Sequence, residues 1–184
     1  MLTPPPPQKT GAELRQQLLD FTADALTATA LPDGWRYGPL PDAEPWDPDT
    51  SEFTDLGCST TDNNDKRQQF GLIIDHDPVG GAADFANIIA DHWNSLGYPI
   101  EVVTPTMTNP GGNHYTGIAT TLPNGAWLMV RASDYIFTLD LNTECSTDPT
   151  LNQFAGPHGY RDFDPLNPLG TPTPIPSPPD GRDP

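Results

Sequence analysis

The sequence predicts one α+β domain, with two helices on one face of a mostly antiparallel sheet of about four to six strands, closed by one disulfide. Three observations lead there. Two segments carry apolar residues at helical spacing. The segments after the second helix read as strands joined by short turns, and short connections demand antiparallel pairing. The chain has only two cysteines, Cys58 and Cys145, each at the edge of a segment expected to be ordered.

The first helix spans Gly11–Ala28. Thr10 and Glu13 form a T-x-x-E capping box, and Leu14, Leu18, Phe21 and Ala25 fall on one stripe. Leu31-Pro32-Asp33-Gly34 ends it. Trp35, Tyr37 and Leu40 predict a short strand before Pro39, Pro41, Pro45 and Pro48 impose a loop.

Gln69–Ile74 is apolar and β-branched and predicts a buried strand, stopped by Asp75-His76-Asp77-Pro78. Ala82–Leu96 is the second helix. Phe85, Ile88, Ile89, His92, Trp93 and Leu96 make its apolar face, and Gly97 is suited to the position just past the C-cap. A strand at Ile100–Thr104 and a flexible loop at Met107–Asn113 come next. Tyr115–Leu122 and Ala126–Ala132 flank Pro123-Asn124-Gly125, the signature of a tight hairpin. The last strand is Tyr135–Leu141, where Tyr135, Phe137, Leu139 and Leu141 alternate against Ile136, Thr138 and Asp140.

The ends read differently. Residues 1–9 carry four consecutive prolines and form a stiff spacer; residues 10–154 are the domain; residues 155–184 are a proline-rich tail expected to be disordered. Met1–Lys9 has no basic n-region and no apolar h-region, so an exported form needs a targeting segment outside these 184 residues.

Charge narrows the partners. Twenty-five acidic residues stand against 8 basic ones, a net charge of −17, which disfavours nucleic acid and direct binding to an anionic lipid surface. The acids are scattered and also serve solubility. A monomer is expected, and no pattern asks for a cofactor. For the cysteines, the competing reading is two unrelated buried thiols. Their even number, polar neighbours (Gly57, Ser59, Glu144, Ser146) and the scarcity of lysine favour a Cys58–Cys145 disulfide, and so an oxidising compartment.

In ordered pieces over Gly11–Ser146, the chain resembles a known family. The pieces are the first helix, LPDGWRY, the cysteine of LGCSTTD, QQFGLII, ADFANIIADHWNSLGY and the hairpin leading into DLNTECS, followed by a proline-rich tail. These landmarks are similar to the small lipoproteins of the LppA type from mycobacteria and related actinobacteria. The resemblance implies an extracytoplasmic domain facing the cell wall, tethered through a lipid-modified cysteine upstream of Met1. No catalytic motif comes with it.

Candidate sites follow from residue type. Asp75, His76 and Asp77 suggest a metal site, with Asp84 or His114 as further ligands. Successive strand residues point to opposite faces, so only Asp75 and Asp77 converge, and a turn before Pro78 is the competing explanation. His92 lies among apolar residues and reads as a core-edge histidine. No serine sits in a G-x-S-x-G frame, and neither cysteine has basic neighbours. Trp35, Tyr37 and Trp46, with His114 and Tyr115, are the candidate binding residues, because aromatics held in loops make good binding surface. The competing reading puts Trp35 and Phe53 in the core and packs Trp46 on a loop.

The expected function is therefore a non-catalytic binding or accessory role at the envelope, towards a protein, glycan or lipid. Exclusion of other phages by a phage-encoded lipoprotein is one form of it. The alternative is a metal-dependent or other hydrolase. Because the tail carries no expected core contacts, deleting Pro165–Pro184 should shift Tm by no more than about 1–2 °C in a thermal melt. A drop beyond roughly 5 °C would reveal a docked segment.

Overall fold

The computed structural model describes residues 8–50, 53–58 and 65–153. Two helices pack on one face of a six-stranded antiparallel sheet. In chain order these are α1 (Gly11–Thr29), β1 (Thr54–Gly57), β2 (Gln68–His76), α2 (Ala82–Ser95), β3 (Ile100–Thr108), β4 (His114–Thr121), β5 (Trp127–Ser133) and β6 (Phe137–Asn142), followed by a 3₁₀ turn at Pro149–Gln153. The sheet order is β1-β2-β6-β5-β4-β3, so β3 to β6 form the expected four-strand meander.

Helix α1 starts as its sequence dictates. The Thr10 hydroxyl accepts from the Glu13 N–H, and the Glu13 carboxylate accepts from the Thr10 N–H at 2.8 Å, satisfying two otherwise orphaned donors. Those bonds hold the Glu13 carboxyl below its ordinary range. Leu14, Leu18, Ala25 and Leu26 are buried, and Phe21 packs at the margin of the core.

Helix α2 is rotated from its expected face. Ala82, Ala86 and Ala90 join Phe85, Ile89 and Trp93 in the core, whereas Ile88 and Leu96 are each 46% exposed. The alanines let the helix axis sit close to the sheet, which turns the larger Ile88 and Leu96 outward. His92 is half-buried and bonds Asp24 of α1 at 2.8 Å through Nε2.

Pleat alternation sorts the strands between two surfaces. Phe70, Leu72 and Ile74 of β2, Leu128 and Val130 of β5, and Phe137, Leu139 and Leu141 of β6 face the helices and are buried. Phe85 of α2 stacks on Phe137, with centroids 4.0 Å apart. Gly125 takes a φ of +92° in the hairpin after β4, the left-handed conformation expected of Asn-Gly.

Several expected boundaries shift. Strand β2 continues through Asp75 and His76, because His76 pairs with Phe137 and Asp75 exchanges backbone hydrogen bonds with Arg36. Residues 35–46 form no named strand. Arg36 instead bridges both Pro45 and Asp75, and Tyr37 N–H donates to Glu44 O, giving a narrow ribbon. Strand β3 runs to Thr108 and takes in Met107, leaving Asn109–Asn113 as the turn; Tyr135 lies outside β6 and is 67% exposed. Strand β1 and the 3₁₀ turn carried too short a pattern to be expected.

Cys58 and Cys145 form the disulfide. It crosses the start of β2, where Gln68 pairs with Gly57 on one side and with Ser146 on the other. Closing a loop with a sequence separation of 87 stabilises the fold by about 4–5 kcal/mol in the chain-entropy account. Intact mass under denaturing alkylation should show no free thiol before reduction. Reduction, or the Cys58→Ser/Cys145→Ser pair, should lower chemical-denaturation stability by several kcal/mol.

Candidate binding groove on the open sheet face

Both helices lie on one side; among the described residues no helix covers the other face of the sheet, and side chains there assemble into a groove of about 770 Å³. One cross-strand row makes its floor. Asp75 of β2 stands opposite Thr138 of β6, which stands opposite Arg131 of β5, then Gly117 of β4 and Thr104 of β3. Directly paired residues in antiparallel strands point to the same face, so this row is a consequence of register. Ile73, Met129 and Ile136 add apolar surface. Tyr37 and Pro39 come from the 35–46 ribbon at the β2 edge, and Tyr115 comes from β4.

Arg36 positions the ribbon. Its guanidinium is nearly buried and donates from Nε to Leu40 O at 2.8 Å, from Nη2 to Pro39 O at 3.3 Å, and from Nη2 to Asp77 Oδ1 at 2.7 Å. Its backbone N–H and C=O pair with Asp75. One residue therefore fixes the turn carrying Pro39 and docks it beside the groove floor.

The floor is charged but only partly exposed. Asp75 is 5% exposed and accepts a hydrogen bond from the Thr138 hydroxyl at 2.5 Å. Burial raises its pKa above the ordinary value, and the Thr138 bond and the charges of Arg131 and Arg36 offset only part of that. Asp140 lies diagonally from Asp75 across β2 and β6 and meets Arg131 Nη2 at 3.4 Å. Burial pushes Asp140 up to about 6, Arg131 pulls it down, and Asp75 adds a smaller upward push. The Arg131–Asp140 contact is long, and the Arg131 side chain is 45% exposed, so its remaining donors face solvent.

The candidates named from sequence separate into four places. Tyr37 and Tyr115 join the groove. Trp35 does not: it is 3% exposed, donates its indole N–H to Leu31 O, and packs on His76 and Phe85. Trp46 is half-buried in a second cleft, between α1 and the ribbon. His114 is exposed at one end of the sheet, with Nδ1 3.5 Å from Asp134 Oδ2.

The Asp75-His76-Asp77 run diverges as alternation requires. Asp75 joins Thr138, and Asp77 reaches Arg36. His76 turns to the helix face, its ring nitrogens 2.5 Å and 3.0 Å from the carbonyl oxygens of Asp77 and Asp33. Asp75 and Asp77 are each engaged elsewhere and do not converge. Among the described residues, no three His, Cys, Asp or Glu side chains gather as metal ligands.

Sequence reasoning missed Arg131, Thr138 and Asp140, and it saw no carboxylate pair. Arg131 did leave a signal, as one of 8 basic residues in the chain and the only charge among apolar β5 residues.

A carboxyl raised by folding binds more protons in the native state than in the unfolded one between its two pKa values. Its stability contribution is therefore present below about 4 and lost as pH rises through about 6. Replacing Asp140 by Asn should remove that slope. Relative to wild type, Asp140→Asn should gain on the order of 3 kcal/mol in going from pH 4 to pH 7, read by urea denaturation at each pH. A constant difference between the two proteins would show that Asp140 titrates normally.

Comparisons with protein-family models, with curated proteins and with solved structures find no match to this chain.

Proposed function

We propose that this chain is the extracytoplasmic domain of a small cell-envelope lipoprotein, and that it acts without turnover by binding a ligand in the open-face groove. The groove carries the reading. Aromatic side chains from two distant segments, Tyr37 and Tyr115, meet one floor of Asp75, Thr138 and Arg131. Concave sites with apolar walls and a few convergent polar groups are the usual form of a ligand site. The Cys58–Cys145 disulfide suits an oxidising compartment, and the likeness to LppA-type lipoproteins supplies the envelope and the lipid anchor.

The test is complementation of a deletion strain. Tyr37→Ala, Tyr115→Ala and Arg131→Gln should each impair function while thermal melts stay cooperative. His92→Ala, His114→Ala and Trp46→Ala, which lie outside the groove, should leave it intact. Full function in all three groove variants would overturn the reading.

The anchor is tested separately by metabolic labelling with a palmitate analogue in the source organism. One acyl chain binds a membrane only marginally, so incorporation of more than one is expected. An unlabelled protein recovered wholly from the culture fluid would contradict the anchor.

One observation favours a second reading, a hydrolase: Asp75 and Asp140 share a face, and Asp140 is raised to about 6, as a general acid requires. In that case Asp140→Asn abolishes function more completely than Arg131→Gln or either tyrosine variant, while the fold stays intact.

A further inference from the structure

Resting on the groove as the binding site, we propose that its ligand is a neutral oligosaccharide. The floor offers acceptors and donors side by side: Asp75 and the Thr138 hydroxyl oxygen, whose proton goes to Asp75, as acceptors, the outward donors of Arg131, and the Thr104 hydroxyl. Hydroxyl groups both donate and accept, so a polyol can satisfy such a mixed row, whereas an ion of either sign meets a like charge within it. Tyr37 lies on the ribbon outside β2 and Tyr115 on β4, four strand spacings away, or roughly 19 Å. Tyrosine presents a flat apolar face with a polar tip, and the apolar face of a sugar ring can lie against it while its hydroxyls reach the floor.

Other ligand classes fit less well. With a net charge of −17, the chain repels phosphates and other polyanions before they reach Arg131. An acyl chain placed along the row would leave Asp75, Thr138 and Arg131 facing hydrocarbon, at the cost of stripping water from charged groups. An extended peptide adding to a sheet needs an open strand edge; β2, β6, β5 and β4, which carry Asp75, Thr138, Arg131 and Tyr115, are each paired on both sides. A peptide could add only outside β1, or outside β3 beyond Thr104, away from those side chains.

The experiment presents the whole chain, disulfide intact, to an array of neutral oligosaccharides. The sugars retained are then titrated into isotope-labelled protein by NMR. Shifts are expected at the backbone amides of Thr104, Tyr115, Arg131 and Thr138. Arg131→Gln and Tyr115→Ala should each weaken binding about tenfold or more. Ile88→Asn, on the far side of α2, should bind as wild type, and Tyr115→Phe should retain most of the affinity, keeping the test valid if Tyr115→Ala unfolds. Retention of no neutral oligosaccharide would overturn the class. So would shifts of the same residues by palmitoyl-lipid micelles or by peptides alone, but that result would leave the groove in place as the site. Sugar binding that shifts residues away from the groove would overturn both the class and the site.

Discussion

Two helices cannot cover both faces of a six-stranded sheet, and the distribution of apolar side chains decides which face they take. Strand β2 shows the decision most clearly. Phe70, Leu72 and Ile74 point to α1 and α2 and are buried. Gly71, Ile73 and Asp75 point the other way, and all three line the groove. A one-residue slip of β2 would put Asp75 into the core and Phe70 into solvent, so hydrophobic burial fixes the register. The register in turn places Asp75, Thr138 and Arg131 in one row. The groove is thus a by-product of core formation, and its floor is as rigid as the sheet.

Two devices hold the flank of β2 where β1 is too short to pair along its whole length. At the start of β2, the Cys58–Cys145 disulfide ties the segments on either side of Gln68. At its end, Arg36 pairs with Asp75 through the backbone and uses its guanidinium to organise the turn at Pro39–Leu40. The first bears on global stability. The second bears on the groove, since it holds the wall that carries Tyr37.

Much of the fold was legible because its signals are local. The capping box at Thr10 and Glu13, the Asn124-Gly125 turn and the Phe137-Leu139-Leu141 alternation each lie within a few residues, and each appears in the structure. The phase of α2 was harder to read. Alanines and large aliphatics share its apolar stripe, and closeness to the sheet, a tertiary property, selected Ala82, Ala86 and Ala90 over Ile88 and Leu96. The candidate site was half legible. Tyr37 and Tyr115 stood out as aromatics near turns, but Asp75, Thr138, Arg131 and Asp140 become neighbours only through strand pairings distant in sequence. Trp35 stood open between core and binding surface, because an aromatic beside prolines in a loop has the same sequence appearance whether it is buried or presented; the structure puts it, with Phe53, in the core.

The central claim is that the open face of the sheet, and not the helix face or the α1 cleft, meets the ligand. Site-specific incorporation of a photoreactive phenylalanine analogue, in living cells, tests it whatever the ligand is. Placed at Tyr37 or Tyr115, the probe should give a crosslinked product on irradiation, while at Ile88 or Trp46 it should give none. A product from Ile88 or Trp46, with none from the two groove positions, would contradict the account.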